Sequence, residues 1–202
     1  MAVGTSSSML GNALLFLLVL SSATDVHGES SSTAATTSPL DYLCGLVGAW
    51  YVTPDLCVSV LCVDPSCHSA RGWPELAVLA TRLTVANATV TKASIQSALA
   101  HAKDAKVRKV MQSCGSCLQL YAGAVPRLQW AARSVAARRY NGVPEVLRAA
   151  YMDVANECAS LAGQVKLPKE NDEFFMMAYV ADAVVELVQP YGIHLLTRSS
   201  PP

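Results

Sequence analysis

An uninterrupted apolar stripe in the middle of the chain constrains the fold more than any other feature. Nine side chains recur there at alternating steps of three and four residues: Val107, Val110, Cys114, Cys117, Tyr121, Ala124, Leu128, Ala131 and Val135. A spacing close to 3.6 places them on one face of an α-helix that packs against neighbouring helices. Pro126 falls inside the stripe. Because the pattern continues on both sides, we expect a kinked helix rather than a broken one.

Three further segments show the same spacing. In chain order, their stripes are Leu76, Leu79, Leu83, Ala86, Val90 and Ala93; Leu147, Tyr151, Val154, Cys158, Leu161 and Val165; and Phe174, Met177, Ala181, Val184, Val188 and Tyr191. Pro144 suits the first turn of the second of these helices, and Asn171 or Asp172 would cap the start of the third. Aromatic residues make up 6% of the chain, which favours packed helices over a sheet. The sequence therefore predicts an all-α fold, an antiparallel four-helix bundle.

The N-terminus has the layout of a secretory signal peptide. The apolar run of residues 13–20 precedes small residues, which predicts a leader over residues 1–28 with cleavage between Ala23 and Gly28. The run is shorter than the roughly 20 residues that span a bilayer, so we expect no membrane anchor in the mature form. Residues 29–39 are rich in Ser and Thr and predict a disordered linker. We then expect the bundle domain over residues 40–197 of a secreted, extracellular protein.

Four of the seven cysteines form the spacing C-x12-C-x4-C-x4-C between Cys44 and Cys67. Prolines break this stretch too often for a long helix, so it predicts a small N-terminal helical hairpin. An oxidising compartment favours disulfides, with Cys44 and Cys57 pinning the hairpin and Cys62 and Cys67 as an additional candidate pair. The alternative is a zinc site with four ligands: Cys57, Cys62, Cys67 and His68.

Cys117 and Cys158 occupy inward positions on the second and third bundle helices, so they could meet. A bridge between them would close a loop of about 42 residues and contribute roughly 4 kcal/mol by the loop-entropy relation. Cys114 is then a candidate buried free thiol. Cys114-Gly-Ser-Cys117 has C-x-x-C spacing, but it lies in the middle of a predicted helix rather than at a helix N-terminus, which argues against a redox motif.

The chain has no motif typical of catalysis: a nucleophile elbow, phosphate loop, HExxH or dinucleotide fingerprint is not found. Its histidines stand at no spacing that would make them shared ligands: His27, His68, His101 and His194. We therefore expect no enzyme activity, no catalytic residue, no cofactor and no bound metal.

The charges are unevenly distributed. The formal net charge is zero, yet the segment from His101 to Arg148 carries nine Lys or Arg against Asp104 and Glu145, a balance of +7. A nucleic-acid ligand does not suit a secreted chain with few aromatic side chains for base stacking. The cations are either a solvated face or the source of a weak, salt-sensitive attraction to an extracellular polyanion.

Two surface features remain. Asp153, Asn156 and Glu157 precede Cys158 on the outward face of the third bundle helix, where they are either solvated or part of a contact surface. Asn87 begins an Asn-Ala-Thr sequon, a candidate glycosylation site in a secreted protein.

The cysteines have characteristic flanking residues. After the predicted signal peptide, C-x12-C ends in Thr53-Pro-Asp-Leu-Cys57, Cys117-Leu-Gln-Leu-Tyr121 follows, and a fourth cysteine stands at Cys158. Over roughly Leu40 to Tyr191, this pattern resembles the plant pectin methylesterase inhibitor and invertase inhibitor family. The resemblance implies a four-helix bundle with an N-terminal hairpin, and bridges between Cys44 and Cys57 and between Cys117 and Cys158. It also implies an inhibitor of a cell-wall enzyme in the apoplast, rather than an enzyme.

The target is either pectin methylesterase or, as the alternative, acid invertase. Invertase-binding members of the resembled family carry Pro-Lys-Phe between the second and third bundle helices, where this chain has Pro144-Glu145-Val146. That exchange removes a cation and an aromatic anchor. We therefore predict non-covalent 1:1 occlusion of the pectin methylesterase cleft, with weak attraction to pectin. The expected contacts are Asp153, Asn156, Glu157, Pro144, Glu145 and Val146.

Overall fold

The computed structural model describes residues 37–48, 52–101, 105–162 and 167–189, without the side chains of residues 101, 105–114 and 162. The predicted signal peptide, residues 29–36 of the predicted linker and the end of the predicted domain lie outside these ranges. The helices are α1 (Pro39–Val47), α2 (Pro54–Leu61), α3 (Trp73–His101), α4 (Ala105–Ala136), α5 (Val143–Ala149), α6 (Glu157–Ala162) and α7 (Glu170–Val188). A 3-10 turn (Pro65–Ser69) follows α2, and a π-helical segment (Ala150–Asn156) joins α5 to α6.

These elements confirm the predicted all-α bundle, and the described residues contain no strand. α3 packs against α4 and α7, while the continuous rod of α5, the π segment and α6 packs between α4 and α7. From Cys117 onward, where its side chains are described, the predicted stripe of α4 faces this core: Cys117, Tyr121, Leu128, Ala131 and Val135 are almost completely buried. α4 continues across Pro126 without a break.

The N-terminal hairpin is built from short helices that start in the same way. Each begins with a polar residue followed by proline, and the polar side chain accepts a hydrogen bond from a backbone N–H of the first turn. The three pairs are Ser38-Pro39, Thr53-Pro54 and Asp64-Pro65. A disulfide between the fully buried Cys44 and Cys57 joins α1 to α2. The chain therefore reverses direction at a covalent crosslink before the first long helix.

The predicted stripe of α3 is wrong beyond its first turns. Ala86, Val90 and Ala93 are exposed, and the buried face instead continues through threonines and alanines. The Thr84 hydroxyl donates to the carbonyl of Ala80 and reaches the carbonyl of Met177 on α7 at 3.3 Å; the Thr91 hydroxyl likewise reaches Glu170. These hydroxyls are satisfied by helix carbonyls, so they can be buried at little cost. A count of apolar residues alone therefore selected the wrong face.

The predicted cap of α7 is also wrong. The helix begins at Glu170, and the side chain of Asn171 is buried. Its Oδ1 accepts a hydrogen bond from the Tyr121 hydroxyl of α4 at 2.8 Å, and its Nδ2 donates to the carbonyl of Ala155 at 3.4 Å. Burial raises the pKa of Tyr121, so its hydroxyl keeps the proton that it donates. Asn171 thus connects three bundle helices.

We expect Tyr121→Phe to lower the free energy of unfolding by about 1–3 kcal/mol, because Asn171 Oδ1 would lose its donor in a buried site. Urea denaturation measures the loss. The control is Tyr42→Phe, at a side chain that is 55% exposed, which should change stability by less than about 0.5 kcal/mol. Equal effects of the two changes would contradict this role of Asn171.

Candidate functional site

A groove runs between α4 and the rod formed by α5, the π segment and α6. Its volume is about 430 Å³. Leu120, Ala124 and Leu128 of α4 contribute to its apolar floor, and Asp153 and Glu157 line its opposite side. We call this the α4–α6 groove. It is an open, mostly apolar cleft with a carboxylate edge, which suits contact with another macromolecule.

Two of the predicted contact residues lie on the π segment. Asp153 and Asn156 are exposed there, and Glu157 is the exposed first residue of α6. The amide of Asn156 lies 3.8 Å from the sulfur of Met152, whose side chain is 52% exposed. π-helical turns are rare and occur often at functional sites, because the wider turn redirects the side chains that it carries. The helical spacing of the apolar residues does not distinguish this π segment from an ordinary α-helix.

Asp153 lies between two hollows. It lines the α4–α6 groove, and it also lines a second hollow of about 310 Å³ together with Glu145, Arg148, Ala149 and Met152. Asp153 and Ala149 therefore form a ridge that is accessible from both sides. Because the Asp153 carboxylate is exposed on this ridge, it can accept hydrogen bonds from donors of a partner molecule.

The predicted loop triplet divides between core and surface. Pro144 is buried in the first turn of α5, so it supports the helix start and cannot contact a partner, which corrects our contact set. Glu145 is exposed, and the half-buried Val146 lines the α4–α6 groove. The predicted contact residues that remain accessible are Glu145, Val146, Asp153, Asn156 and Glu157.

A cluster on the other side of the rod holds it against α7. Asp182 Oδ2 accepts a hydrogen bond from the Tyr151 hydroxyl at 3.2 Å and lies 3.6 Å from Arg148 Nη2. Arg148 also pairs with Glu186 at 3.2 Å. Burial raises the pKa of Asp182 to about 6, and the neighbouring guanidinium of Arg148 offsets only part of this effect. The nearby carboxylate of Asp182 in turn raises the pKa of Arg148.

The structure contains three disulfides. They join Cys44 to Cys57, Cys62 to Cys67, and Cys117 to Cys158. The side chain of Cys114 lies outside the described residues. In the described part of the chain, ligand atoms of Cys62, Cys67 and His68 come within 4.8 Å of one another, but the fourth ligand of the zinc alternative, Cys57, is bonded to Cys44 instead. A sulfur in a disulfide is not a thiolate, so the bonded state does not fit zinc.

The remaining predicted features lie on other faces. Asn87 is half-buried on α3, and its Oδ1 accepts a hydrogen bond from the Thr91 hydroxyl. Arg127, Arg133, Arg138 and Arg139 are exposed, whereas Arg148 is engaged by Asp182 and Glu186. The side chains of Lys103, Lys106, Arg108 and Lys109 lie outside the described residues. Within the segment from His101 to Arg148, the exposed arginines other than Arg148 therefore lie on and just after the C-terminal half of α4.

The described residues therefore form a disulfide-stabilised, all-α helical bundle with an open groove between α4 and the rod. Among the helices that the structure describes, none has both the length and the apolar character needed to cross a membrane. The profile of the plant invertase/pectin methylesterase inhibitor family matches residues 21–183, and the chain belongs to this family. Its members are inhibitors rather than enzymes. A search of curated proteins finds no match.

The start of α5 depends on Gly142, which has φ +78° and lies beside Trp130. We expect Gly142→Ala to destabilise the fold by about 1 kcal/mol or more, because a Cβ there is strained and would lie 3.3 Å from the indole. Gly115→Ala on α4 is the control: it has open space and should stabilise by about 0.5–1 kcal/mol. Thermal unfolding of both variants tests the opposite signs, and a shift of the same sign for both would contradict the expectation.

Proposed function

We propose that this chain is a secreted inhibitor of pectin methylesterase that acts by non-covalent, 1:1 occlusion of the enzyme's active-site cleft. The observation that carries the proposal is the α4–α6 groove with Asp153 and Glu157 along its edge. Family membership supports inhibition of pectin methylesterase or invertase. The proposal adds the target, the binding surface and the extracellular location. The support for the extracellular location is that the N-terminal sequence has the layout of a secretory signal peptide.

Occlusion requires a surface that is ordered before binding. The walls of the groove are crosslinked by the bridge between Cys117 and Cys158, whose Cα atoms are 4.9 Å apart. Interfaces lose affinity when side chains and loops must be ordered on association, and a crosslinked helix pair has little of this cost. The proposed interface is of standard size, roughly 1,600 Å² in total.

The polar edge would provide specificity. Asp153 and Glu157 are both exposed, and each can accept charge-assisted hydrogen bonds from Arg or Lys of the enzyme. The apolar floor at Leu120, Ala124 and Val154 would contact an apolar side chain inserted from the partner. This combination of apolar centre and polar rim is the usual arrangement of a specific interface.

Glu145 and Val146 favour pectin methylesterase over the alternative target, acid invertase. The sequence motif of invertase-binding relatives would place a lysine and a phenylalanine at these positions. Here the first carries an exposed carboxylate, and the second is a smaller side chain partly covered by the groove. The cation and the aromatic anchor of that motif are therefore missing at this loop.

The exposed arginines contribute a weaker, separate effect. Arg127, Arg133, Arg138 and Arg139 would attract anionic pectin without fixed geometry and so concentrate the inhibitor where the enzyme acts. Salt should weaken this attraction over a Debye length of about 8–10 Å. It would not contribute to blocking the cleft.

The primary experiment is titration of the oxidised mature protein against a plant pectin methylesterase and, in parallel, a cell-wall invertase. We expect saturable loss of esterase activity near equimolar inhibitor, with invertase unaffected. Loss of invertase activity alone would transfer the function to the alternative target. Loss of neither activity would contradict both.

The edge carboxylates are tested by the pair Asp153→Asn and Glu157→Gln. We expect inhibition to weaken by about tenfold or more, since each lost charge-assisted bond is worth about 1.5–3 kcal/mol, while the melting temperature stays unchanged. The matched control is Glu170→Gln with Glu173→Gln on α7, the same loss of charge away from the groove. Equal inhibition by the two double variants would exclude this edge from the interface.

The groove itself is tested by filling it. Gly123 lines the α4–α6 groove and has open space around its Cα, so Gly123→Leu should obstruct the groove without destabilising α4. Gly115→Leu is the control, at another unobstructed glycine of the same helix that does not line the groove. We expect only the first to lose inhibition, by about tenfold or more. Full inhibition by Gly123→Leu would show that the enzyme does not enter the groove.

A further inference from the structure

Asp182 is the one acidic or basic residue among the described side chains that is buried. Its carboxylate is only half satisfied. Oδ2 accepts the Tyr151 hydroxyl, whereas the buried Oδ1 has no hydrogen-bond partner. An ionised carboxylate with one oxygen unpaired in a buried site is costly. The arrangement calls for a reason other than packing.

The charged groups around Asp182 come from two elements. Arg148 and Glu145 face it from α5, and Glu186 lies one turn further along α7, while the Tyr151 hydroxyl faces it from the π segment. Among the side chains that the structure describes, the elements on the other sides of α7 bring no buried charge. α3 presents the hydroxyls of Thr84 and Thr91, and the buried side chains of α1 and α2 are apolar or disulfide-bonded. Arg148, the cation that pairs with Asp182, is shared with Glu186.

Tyr151 connects this cluster to the proposed binding face. It is the second residue of the π segment, two positions before Asp153. Its ring packs edge-on against Phe175 and Tyr179 of α7, and its hydroxyl reaches Asp182. Whatever holds Tyr151 on α7 therefore also sets the position of Asp153 and Asn156.

The charge state of Asp182 should make the packing of the rod on α7 depend on pH. Burial raises the pKa of Asp182 to about 6 from an ordinary value near 3.8. The packed state binds the proton more tightly than an open state in which water reaches the carboxylate. Between these two pKa values, the packed state holds more protons, so its stability falls as pH rises. Above pH 6 the charged carboxylate favours opening of the contact between the rod and α7.

We infer that Asp182 is a positioning residue that couples the π segment, and with it the target-binding face, to pH. The segment is held on α7 in mildly acidic solution and loosens toward neutrality. The binding part of this inference rests on the proposed function.

The first test needs no partner. Amide hydrogen exchange over residues 147–158, expressed as protection factors, is compared at pH 5 and pH 7. We expect protection in the unmodified chain to fall by about tenfold, because pH 5 lies one unit below the packed-state pKa of about 6 and each such unit corresponds to a tenfold change. Asp182→Asn, which cannot ionise, should keep at pH 7 the protection seen at pH 5. Glu173→Gln, an exposed carboxylate of the same helix, should behave like the unmodified chain.

The unmodified chain also provides a test that does not depend on a variant folding. Its stability against urea should fall from pH 4.5 to pH 7. Stability and protection that are both independent of pH would overturn the inference. Asp182→Asn that folds but loses protection at pH 5 as well would also overturn it, because a purely structural role would then be sufficient.

The second test is equilibrium binding to pectin methylesterase at the two pH values, with each variant compared to the unmodified chain so that titration of the enzyme cancels. We expect Asp182→Asn to bind more tightly than the unmodified chain at pH 7, by at most about tenfold, and equally at pH 5. Equal binding at both would overturn the coupling. No binding at any pH, with pH-dependent protection intact, would overturn the proposed function and leave the link between Asp182 and the π segment supported.

Discussion

The bond between Cys117 and Cys158 sets the distance between the two helices on which the proposed site depends. Both residues are completely buried, and the bridge holds α4 against α6. The α4–α6 groove lies between the same two helices that this bridge joins. A bundle without the bridge would rely on side-chain packing alone to keep the groove open at one width.

Polar bonds rather than apolar volume align the other helices. The hydroxyls of Thr84 and Thr91 reach carbonyls of α7, and Asn171 joins Tyr121 to the carbonyl of Ala155. Such bonds act only at one register of one helix against the next, whereas Ala and Val side chains tolerate small sliding movements. Small residues on α3 also let α7 approach closely enough for a side chain to reach a main-chain oxygen. The register of the helices is therefore fixed by directional hydrogen bonds as well as by the burial of apolar side chains.

The rod that carries the predicted contact residues contains or contacts two features that locally lower stability. The π segment interrupts regular α-helical bonding, and Asp182 places a poorly satisfied carboxylate behind it. Stable cores rarely contain such features without a functional reason. Both lie within a few residues or one side-chain contact of Asp153. This location is consistent with a face whose shape is held by a titratable contact.

The sequence by itself determined the helical class, the inward face of α4 and the place of Pro144 in the first turn of α5. It also determined the matching family. Helical period, proline placement and cysteine order are signals that can be read along the chain without the tertiary structure. The sequence failed at the face of α3 and at Asn171, since the burial of a hydroxyl or amide depends on an acceptor brought by a helix distant in the chain. The π segment, the groove and the partnerless oxygen of Asp182 were likewise decided only by tertiary structure. A cleft is a property of the distance between two helices, and a shifted pKa is a property of the surroundings of a carboxylate. Neither quantity exists until the helices have packed.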